Sequence, residues 1–313
     1  MRKTGRKTLK SIFMFAPALA FAAILCWPVS SRSQSTDFIL VGAGDVADGV
    51  GLNLSSAVST AAVIDGVISS GAASSIPVTV FAAGDLAYDN GSEADFANSY
   101  DTTWGKFRTR TLPAIGNHEY QSGGAGHYNY FGPIAGSPNK GYYSTDIGNW
   151  HIVVLNSNCN YVGCSALSPQ GTWLSNDLNT AINQSCTLAI WHHPLYSSTG
   201  SPPPTPAVQP LFQILYSAHA ELIVNGHAHV YERFAPQDAN GSLDTANGVV
   251  QIIVGTGGET HHDFSTPFAA NSLVRDNTAY GVLKVTLHAS SLDYQFMPAG
   301  TAAFTDSGSI ACH

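Results

Sequence analysis

The stretch "IPVTVFAAGDLAYDNG" (residues 76–91) joins an apolar run to a polar exit. Its β-branched and aromatic residues predict a strand over 76–85, and Gly84 lets the chain turn sharply where that strand ends. Asp85 follows this glycine and Tyr88 comes three residues later. An aspartate at a strand end is common, whereas a tyrosine beside it needs a chemical explanation.

The same arrangement recurs elsewhere in the chain, where an apolar run ends in polar residues of similar type. The junctions are "GD" (44–45), "GDLAY" (84–88), "GNHE" (116–119), "WHHP" (191–194) and "NGHAH" (225–229). Helical spacing of apolar residues lies between them, over 52–71, 92–109, 169–184 and 207–220. This alternation predicts a parallel sheet covered on both faces. Because strands of such sheets deliver functional groups at their carboxyl ends, we expect the junctions to converge.

The side chains at these junctions are typical metal ligands. They are two aspartates, an asparagine, a histidine and a His-x-His pair. Imidazoles and an amide oxygen suit zinc, iron or manganese, and a carboxylate can bridge two cations. One cation would not need so many ligands. Two cations a few Å apart would, and that is the arrangement of two-metal hydrolases.

In this order the motifs resemble those of the calcineurin-like metallophosphoesterases, and of their purple acid phosphatase branch in particular. Most of that family opens with Asp-x-His, but here Ala47 takes the histidine's place in "GDVAD". The tyrosine of "GDLAY" and the motif "GHAHVYER" (226–233) are similar to that branch, where the tyrosine binds a ferric ion. The resemblance implies an α/β fold, a four-layer metallophosphoesterase-type sandwich of two mixed β-sheets flanked by helices.

The resemblance also implies a set of ligands for two metals that share Asp85. The ligands to Fe(III) would be Asp45, Asp85, Tyr88 and His229, and those to a divalent Zn, Mn or Fe would be Asp85, Asn117, His192 and His227. His118 would contact the substrate phosphate and assist the leaving oxygen. The chemistry agrees, because a phenol has an ordinary pKa near 10 and only a strongly polarising cation keeps it ionised in acid.

The expected activity is that of an exported phosphatase, in which a metal-bound hydroxide attacks a phosphate monoester. One alternative is a phosphodiesterase of nucleotide or phospholipid type on the same centre, and another is a non-catalytic metal-binding surface protein. The expected partner is a small-molecule phosphoester.

Several further polar residues are candidates for supporting roles. Some family members carry a histidine where this chain has Ser201, so His193 or a loop residue is a candidate to share the acid role. Glu119 would either orient His118 or cap its loop. Tyr231 and Glu232 would support the loop behind His229. The histidines without motif context are expected to be ordinary surface or core residues, namely His127, His151, His219 and His288. His261 and His262 follow the Gly-rich turn "GTGGET" and are expected to be solvated loop positions, with a place at the rim of the site as the alternative.

The N-terminus has the layout of a secretory signal, which we assign to residues 1–35. The basic "MRKTGRKTLK" precedes an apolar run over 11–29, which is long enough to leave an uncleaved anchor as an alternative. This signal predicts a secreted or periplasmic protein. The remainder, 36–313, has no clear linker and is predicted to be a single metallophosphoesterase catalytic domain.

The net charge and the cysteines agree with an exported enzyme that acts on small molecules. Beyond residue 35 the chain has 7 Lys and Arg against 21 Asp and Glu, a formal charge of −14. This acidity argues against a nucleic-acid-binding surface. Export favours disulfides, so Cys159 is predicted to pair with Cys164 across a short loop, and Cys186 with Cys312. Buried free thiols are the alternative.

The remaining segments have weaker patterns. Residues 123–148 are rich in Gly, Tyr and Pro and are predicted to be a long loop, and 199–206 a polyproline connector. The runs after residue 247 are predicted to be mostly antiparallel strands.

Overall fold

Two β-sheets form the centre of the fold in the computed structural model, which describes residues 1, 2, 5, 37–48, 54–181 and 184–313. Most of the predicted signal, 1–35, therefore lies outside the described residues. In chain order the strands are β1 (Phe38–Ala43), β2 (Val78–Ala83), β3 (Thr111–Ala114), β4 (Tyr143–Ile147), β5 (Trp150–Val154), β6 (Cys186–Ile190), β7 (Leu222–Asn225), β8 (Tyr231–Phe234), β9 (Val250–Val254), β10 (Ser272–Asp276), β11 (Gly281–Leu287), β12 (Ser291–Pro298) and β13 (Ser307–Ala311).

Helices lie between many of these strands. The α-helices are α1 (Ser55–Ala73), α2 (Glu93–Asp95), α3 (Asp101–Thr103), α4 (Asn117–Gln121), α5 (Ala125–Phe131), α6 (Cys159–Val162), α7 (Pro169–Thr180) and α8 (Gln209–Ser217). A π-helical turn covers Phe96–Tyr100, and 3-10 turns cover Gly105–Arg110, Gly132–Ala135 and Pro206–Val208.

Both sheets are mixed, as the predicted fold requires. The first has the order β13-β12-β11-β1-β2-β3, with β1, β2 and β3 parallel and the C-terminal strands antiparallel. The second has the order β10-β8-β9-β7-β6-β5-β4, with β5, β6, β7 and β9 parallel. The parallel strands of each sheet end on one side, so their exit loops lie close to one another.

The main hydrophobic core contains residues from both sheets, and helices cover their outer sides. Ala61, Ile64 and Val67 of α1 are buried with the first sheet. Phe212 and Leu215 of α8 pack with residues of the second sheet. Of the described helices, α1 is long and apolar enough to cross a membrane by length and composition, but its buried residues pack in this core.

Two predictions about secondary structure were wrong in part. The predicted loop 123–148 contains α5, a 3-10 turn and β4, because its aromatic residues pack into the core and β4 pairs with β5. The predicted helix 92–109 is instead broken into α2, a π-helical turn, α3 and a 3-10 turn. The strands after residue 247 are mostly antiparallel, as predicted. In addition, β9 pairs in parallel with β7 in the central part of the second sheet.

Both predicted disulfides are present. Cys159 pairs with Cys164 around α6, and Cys186 at the start of β6 pairs with Cys312 after β13. The second bridge therefore fixes the C-terminal segment to the second sheet. Residues Ser35–His313 form one compact unit, and its assignment as a single catalytic domain stays a prediction.

Candidate metal centre

The structure brings together all seven residues predicted as metal ligands. Each follows a parallel strand, so the common direction of the strands explains why they meet. Asp45 follows β1, Asp85 and Tyr88 follow β2, Asn117 follows β3, His192 follows β6, and His227 and His229 follow β7.

Tyr88 lies at the middle of one half of the centre. Its buried hydroxyl is 3.0 Å from Asp45 Oδ1, 3.4 Å from Asp85 Oδ2 and 3.2 Å from His229 Nε2. His229 Nε2 is in turn 3.3 Å from Asp45 Oδ1. These four side chains therefore direct a phenol, two carboxylates and an imidazole at one point, which is the donor set predicted for a ferric ion.

Asp85 connects this half to the second. Its Oδ2 atom lies 3.0 Å from Nε2 of His192, and that nitrogen lies 3.1 Å from Oδ1 of Asn117. The ring of His227 is 5.0 Å from the ring of His192, measured between centroids. An oxygen of Asp85 thus lies between the tyrosine group and the histidine group, as a bridging carboxylate would.

Backbone carbonyls fix the orientation of two imidazoles. His229 donates its Nδ1–H to Thr260 O at 2.7 Å, and His192 donates its Nδ1–H to Ala83 O at 2.9 Å. In the neutral ring this leaves the Nε2 lone pair directed into the centre. Such a second hydrogen bond is what holds a ligating histidine in one tautomer.

The backbone at the strand ends is locally strained. Asp45, Asp85 and His227 have positive φ angles of 58°, 51° and 69°, although none of them is glycine. Left-handed backbone in non-glycine residues is uncommon and collects at functional sites. The neighbouring Gly116 leaves space for Asp85, because a Cβ atom there would lie 2.0 Å from Asp85 Oδ1.

The electrostatics of the centre fit a bound cation. Burial opposes ionisation of Asp85, but His192 and His118 hold the pKa of its carboxyl well below its ordinary value. Burial likewise opposes the charge on His192, yet Asp85 and Asp45 raise its pKa to about 9. Among the described residues neither carboxylate has a Lys or Arg partner. Protonated histidines therefore supply the positive charge that a metal would otherwise provide.

Tyr88 has the environment least favourable to a free phenolate. Burial, and then the charges of Asp45 and Asp85, raise the pKa of its hydroxyl well above the ordinary value. The phenol therefore stays neutral in the absence of a cation. A strongly charged metal would have to displace this proton, which agrees with a trivalent ion in this half of the centre.

His118 lies at the open side of the centre. Its backbone N–H donates to Asp85 Oδ1 at 2.8 Å, and its Nε2 is 3.9 Å from Asp85 Oδ2. The ring lies 4.4 Å from the Tyr88 ring, and 29% of the side chain is exposed. Nδ1–H donates to the carbonyl of Asp89, which directs Nε2 toward the centre. The side chain is thus positioned to contact a bound substrate.

A sequence model of the calcineurin-like phosphoesterases matches residues 55–231, more than half of the chain. The chain belongs to this family. Residues 248–307 match a second model, described as iron/zinc purple acid phosphatase-like protein C, which confirms the resemblance to the purple acid phosphatase branch.

Relatives with known names are similar over part of their length. Purple acid phosphatase 15 of Arabidopsis thaliana is 32% identical over 178 residues, which cover 50% of this chain and 32% of the relative. Probable purple acid phosphatase 20 of the same plant is 30% identical over 203 residues, which cover 56% and 44%. The chain therefore spans less than half of the length of these relatives.

A solved structure supports the predicted fold. The purple acid phosphatase PPD1 from yellow lupin seeds (Lupinus luteus) superposes with a TM-score of 0.71 at 21% identity, covering 89% of this chain and 54% of that one. At this identity the similarity concerns the fold, and it confirms the metallophosphoesterase-type architecture.

Glu119 caps its loop. Its buried carboxylate accepts hydrogen bonds from the backbone N–H groups of Asp85, Leu86 and Gly116 at 3.1, 2.7 and 2.7 Å. Burial and the charge of Asp85 raise the pKa of Glu119 to about 7. Of the two predicted roles, the contacts favour the cap, because His118 is held by the Asp89 carbonyl instead.

His193 borders the second half of the centre. Its ring is 4.3 Å from the ring of His227, and its Nδ1 lies 2.8 Å from Ser157 Oγ. Burial, reinforced by the charge of His192, lowers the pKa of His193 to about 3. A neutral imidazole in this position is better suited to accept or donate one hydrogen bond than to carry a charge.

Tyr231 and Glu232 support the loops behind the centre. The Tyr231 hydroxyl donates to Asp306 Oδ2 at 2.8 Å, and Arg233 forms an ion pair with the same carboxylate at 2.6 Å. Glu232 accepts the Ser198 backbone N–H at 2.8 Å, in the loop that follows His192 and His193. These residues therefore connect β8 to the C-terminal segment and to the exit loop of β6.

His262 lies against the centre, so its contacts favour the alternative of a place at the rim of the site over the solvated loop position that was expected. Its ring stacks on His229 with centroids 3.8 Å apart, and its Nδ1 accepts the His229 backbone N–H at 3.0 Å. No local motif marks it, because the contact joins residues 33 positions apart. By contrast, His151 bonds Asp146 and Asp177 away from the centre, as an ordinary structural histidine.

Proposed function

We propose that this phosphoesterase is an exported acid phosphatase that hydrolyses phosphate monoesters at a centre of Fe(III) and a divalent ion (Zn, Mn or Fe). The observation that carries the proposal is the placement of the Tyr88 hydroxyl among Asp45, Asp85 and His229. The names of the curated relatives, which are purple acid phosphatases, support the monoesterase activity. The disulfides support export, because they persist in oxidising compartments.

Two overlapping groups of residues would hold the metals. Asp45, Asp85, Tyr88 and His229 would bind Fe(III), and Asp85, Asn117, His192 and His227 would bind the divalent ion. When bound, the metal pair would supply an acidified water as nucleophile and neutralise the phosphoryl oxygens. Side chains of the protein would orient the substrate and transfer a proton to the leaving oxygen.

His118 is the residue that we assign to proton transfer. The new P–O bond forms from water, the P–O bond to the alcohol breaks, and the alkoxide takes a proton from Nε2 of His118 as it leaves. The Asp89 carbonyl holds Nδ1–H and so keeps Nε2 directed at the leaving oxygen. General acid assistance of this kind contributes about 10²- to 10⁴-fold in rate.

The proposal is tested by comparing p-nitrophenyl phosphate with bis-p-nitrophenyl phosphate on metal-loaded protein. We expect a kcat/KM that is higher for the monoester, and near-complete loss of activity in Asp85→Ala.

His118→Ala should lower kcat by about 100-fold or more for an alkyl monoester and less for the nitrophenyl ester, whose leaving group needs no proton. His219→Ala, at a turn after α8, is the matched control. Higher activity on the diester would instead favour the phosphodiesterase.

A further inference from the structure

A cavity of about 290 Å³ opens directly beside the proposed metal centre. Asn117 and His193 line it, so one wall belongs to the centre itself. The lining also includes Asn160 and Tyr161 of the short disulfide loop. If a phosphoryl group binds at the centre, the substituent on its ester oxygen can extend into this cavity.

The walls of the cavity are fixed by hydrogen bonds. Asn158 donates its side-chain N–H groups to the carbonyls of Ile115 at 3.2 Å and Gly116 at 3.3 Å, which connects the disulfide loop to the loop that carries Asn117. Ser157 Oγ lies 2.8 Å from His193 Nδ1. The cavity therefore keeps one shape relative to the metal ligands.

Tyr161 presents an oriented aromatic ring at this cavity. It stacks on Tyr120 with centroids 4.1 Å apart and an angle of 18° between the rings, and Tyr120 is buried and accepts a hydrogen bond from Asn156 at 2.8 Å. Tyr161 is nevertheless 64% exposed. One face of its ring is thus held in place, and the rest is available to a ligand. Offset stacking on such a ring favours a planar substituent.

The charges around the cavity also bear on which substituent it can hold. Among the described residues that line it there is no Asp, Glu, Lys or Arg. Beyond residue 35 the chain has 7 basic against 21 acidic residues, so its overall field repels further anions. A substituent with additional phosphate or carboxylate groups would be repelled by this field and would find no Lys or Arg in the lining to form an ion pair with. An uncharged substituent avoids this cost.

We propose that this cavity holds the leaving group, that it selects phosphate monoesters of uncharged aromatic alcohols, and that Tyr161 is a specificity-determining residue. This inference rests on the proposed function, since it concerns the substrate class of the same centre. Asn160, exposed on the same loop, is the position at which the charge of the cavity can be changed.

The aromatic preference is tested with benzyl phosphate and n-butyl phosphate, whose alcohols have similar basicity and therefore similar demands on the chemical step. We expect the metal-loaded enzyme to have the higher kcat/KM for benzyl phosphate. Tyr161→Ala should lower the benzyl-to-butyl ratio by about 3- to 10-fold, and Tyr161→Phe should keep it. Leu167→Ala is the control, because Leu167 is 92% exposed and does not line the cavity.

The outcomes separate the inference from the proposed function. If both esters are hydrolysed with a ratio that is the same in the parent enzyme and Tyr161→Ala, the specificity assignment is wrong and the phosphatase proposal stands. If the metal-loaded parent hydrolyses neither ester, the phosphatase proposal is wrong and this inference falls with it. Metal analysis of each variant checks that the centre itself is unchanged.

The charge preference is tested with 4-carboxybenzyl phosphate against benzyl phosphate. We expect the parent enzyme to prefer the uncharged ester, and Asn160→Lys to raise the relative kcat/KM for the carboxylated ester by about 2- to 5-fold. This gain should shrink at high salt. Asn160→Gln is the neutral control. Equal use of both esters by the parent enzyme, with no effect of the lysine, would contradict the assignment to uncharged substituents.

Discussion

At the scale of single residues, the iron assignment depends on Tyr88. Its hydroxyl lies within 3.0 to 3.4 Å of Asp45, His229 and Asp85, and no other described tyrosine has such contacts to the predicted ligands. A phenolate bound to Fe(III) gives an intense visible absorption. We therefore expect pink to purple protein after purification without chelator, and loss of the colour in Tyr88→Phe, measured as a visible spectrum beside iron analysis.

Tyr216→Phe is the control for this prediction, because Tyr216 lies on α8 and bonds Asp244. It should keep the colour and the iron content of the parent protein. Active parent protein that is colourless and free of iron would contradict the ferric assignment, and would leave the membership in the phosphoesterase family unaffected.

His127 is predicted to limit stability in acid. Neither of its ring nitrogens has a hydrogen-bond partner among the described residues, and burial lowers its pKa to about 3. The folded state therefore binds fewer protons at this side chain than the unfolded state between pH 3 and the ordinary pKa of 6.5. Within that window the contribution of His127 to the free energy of unfolding falls as the pH falls.

Replacing His127 with Phe removes this penalty and keeps a planar ring in the aromatic cluster with Phe96 and Phe131. We expect the variant to gain about 3 kcal/mol in free energy of unfolding at pH 4.5, relative to its effect at pH 7.5. Urea denaturation of parent and variant at both pH values measures this difference. An effect independent of pH would show that His127 is not held neutral in the fold.

The ligand residues could be predicted because each follows an apolar run that has its own local signal. His192, for example, comes directly after β6, and His227 and His229 follow β7 and a glycine. His262 could not be assigned to the centre in this way, because it joins the centre through its stacking on His229 and its hydrogen bond to the His229 backbone N–H. A contact between distant segments leaves no periodic pattern in the sequence.

At the scale of elements, the glycine that follows β3 determines how close Asp85 can lie to the next strand end. A Cβ atom on Gly116 would be 2.0 Å from Asp85 Oδ1 and 2.3 Å from Asp85 N, so Gly116→Ala must displace the proposed bridging carboxylate. We expect metal affinity to fall by about 10- to 100-fold with circular dichroism close to that of the parent. Metal content after dialysis against a weak chelator measures the loss.

Gly66→Ala is the matched glycine control. Gly66 lies in α1, and a Cβ atom there has no neighbour within 4 Å. The substitution should stabilise the protein by about 0.5 to 1 kcal/mol through helix propensity, without changing the metal content. Equal metal content in both variants would show that Asp85 can move without loss of the site.

Elements with a long apolar run were the easier ones to predict. The strand β2 lies within the predicted strand 76–85, and β1 ends directly before the predicted junction at 44–45. The segment 123–148 is rich in glycine, which predicts a loop, but it contains the short elements α5 and β4. In α5 the buried Tyr128 and Phe131 supply the packing, and β4 is a polar strand that exists through its pairing with β5. Tertiary contacts, rather than local propensity, stabilise both.

At the scale of the whole molecule, the local alternation of strands and helices predicted parallel pairing but not how the C-terminal third joins the first sheet. Phe38 in β1 pairs with Leu287 in β11, so strands from opposite ends of the described chain are neighbours. The mixed character of both sheets was expected from the family resemblance. Hydrophobic periodicity gives no information about which distant strands pair.

The two disulfides should stabilise the molecule to different extents, because they close loops of very different length. Cys159 and Cys164 are 5 positions apart, whereas Cys186 and Cys312 are 126 apart. A disulfide restricts the unfolded chain, and more so when it closes a longer loop. Replacing the short bridge by serines should lower the free energy of unfolding by about 2 kcal/mol, and replacing the long bridge should lower it by about 5 kcal/mol. Urea denaturation without reductant measures both.

The long bridge also retains the segment that carries Asp306, which bonds Tyr231 and Arg233 on the strand that follows His229. Loss of the long bridge should therefore weaken metal binding at urea concentrations near the midpoint of unfolding. Loss of the short bridge should instead alter the cavity that Cys159 lines. Equal losses of stability in the two double variants would show that native contacts, rather than loop closure in the unfolded chain, determine what each disulfide contributes.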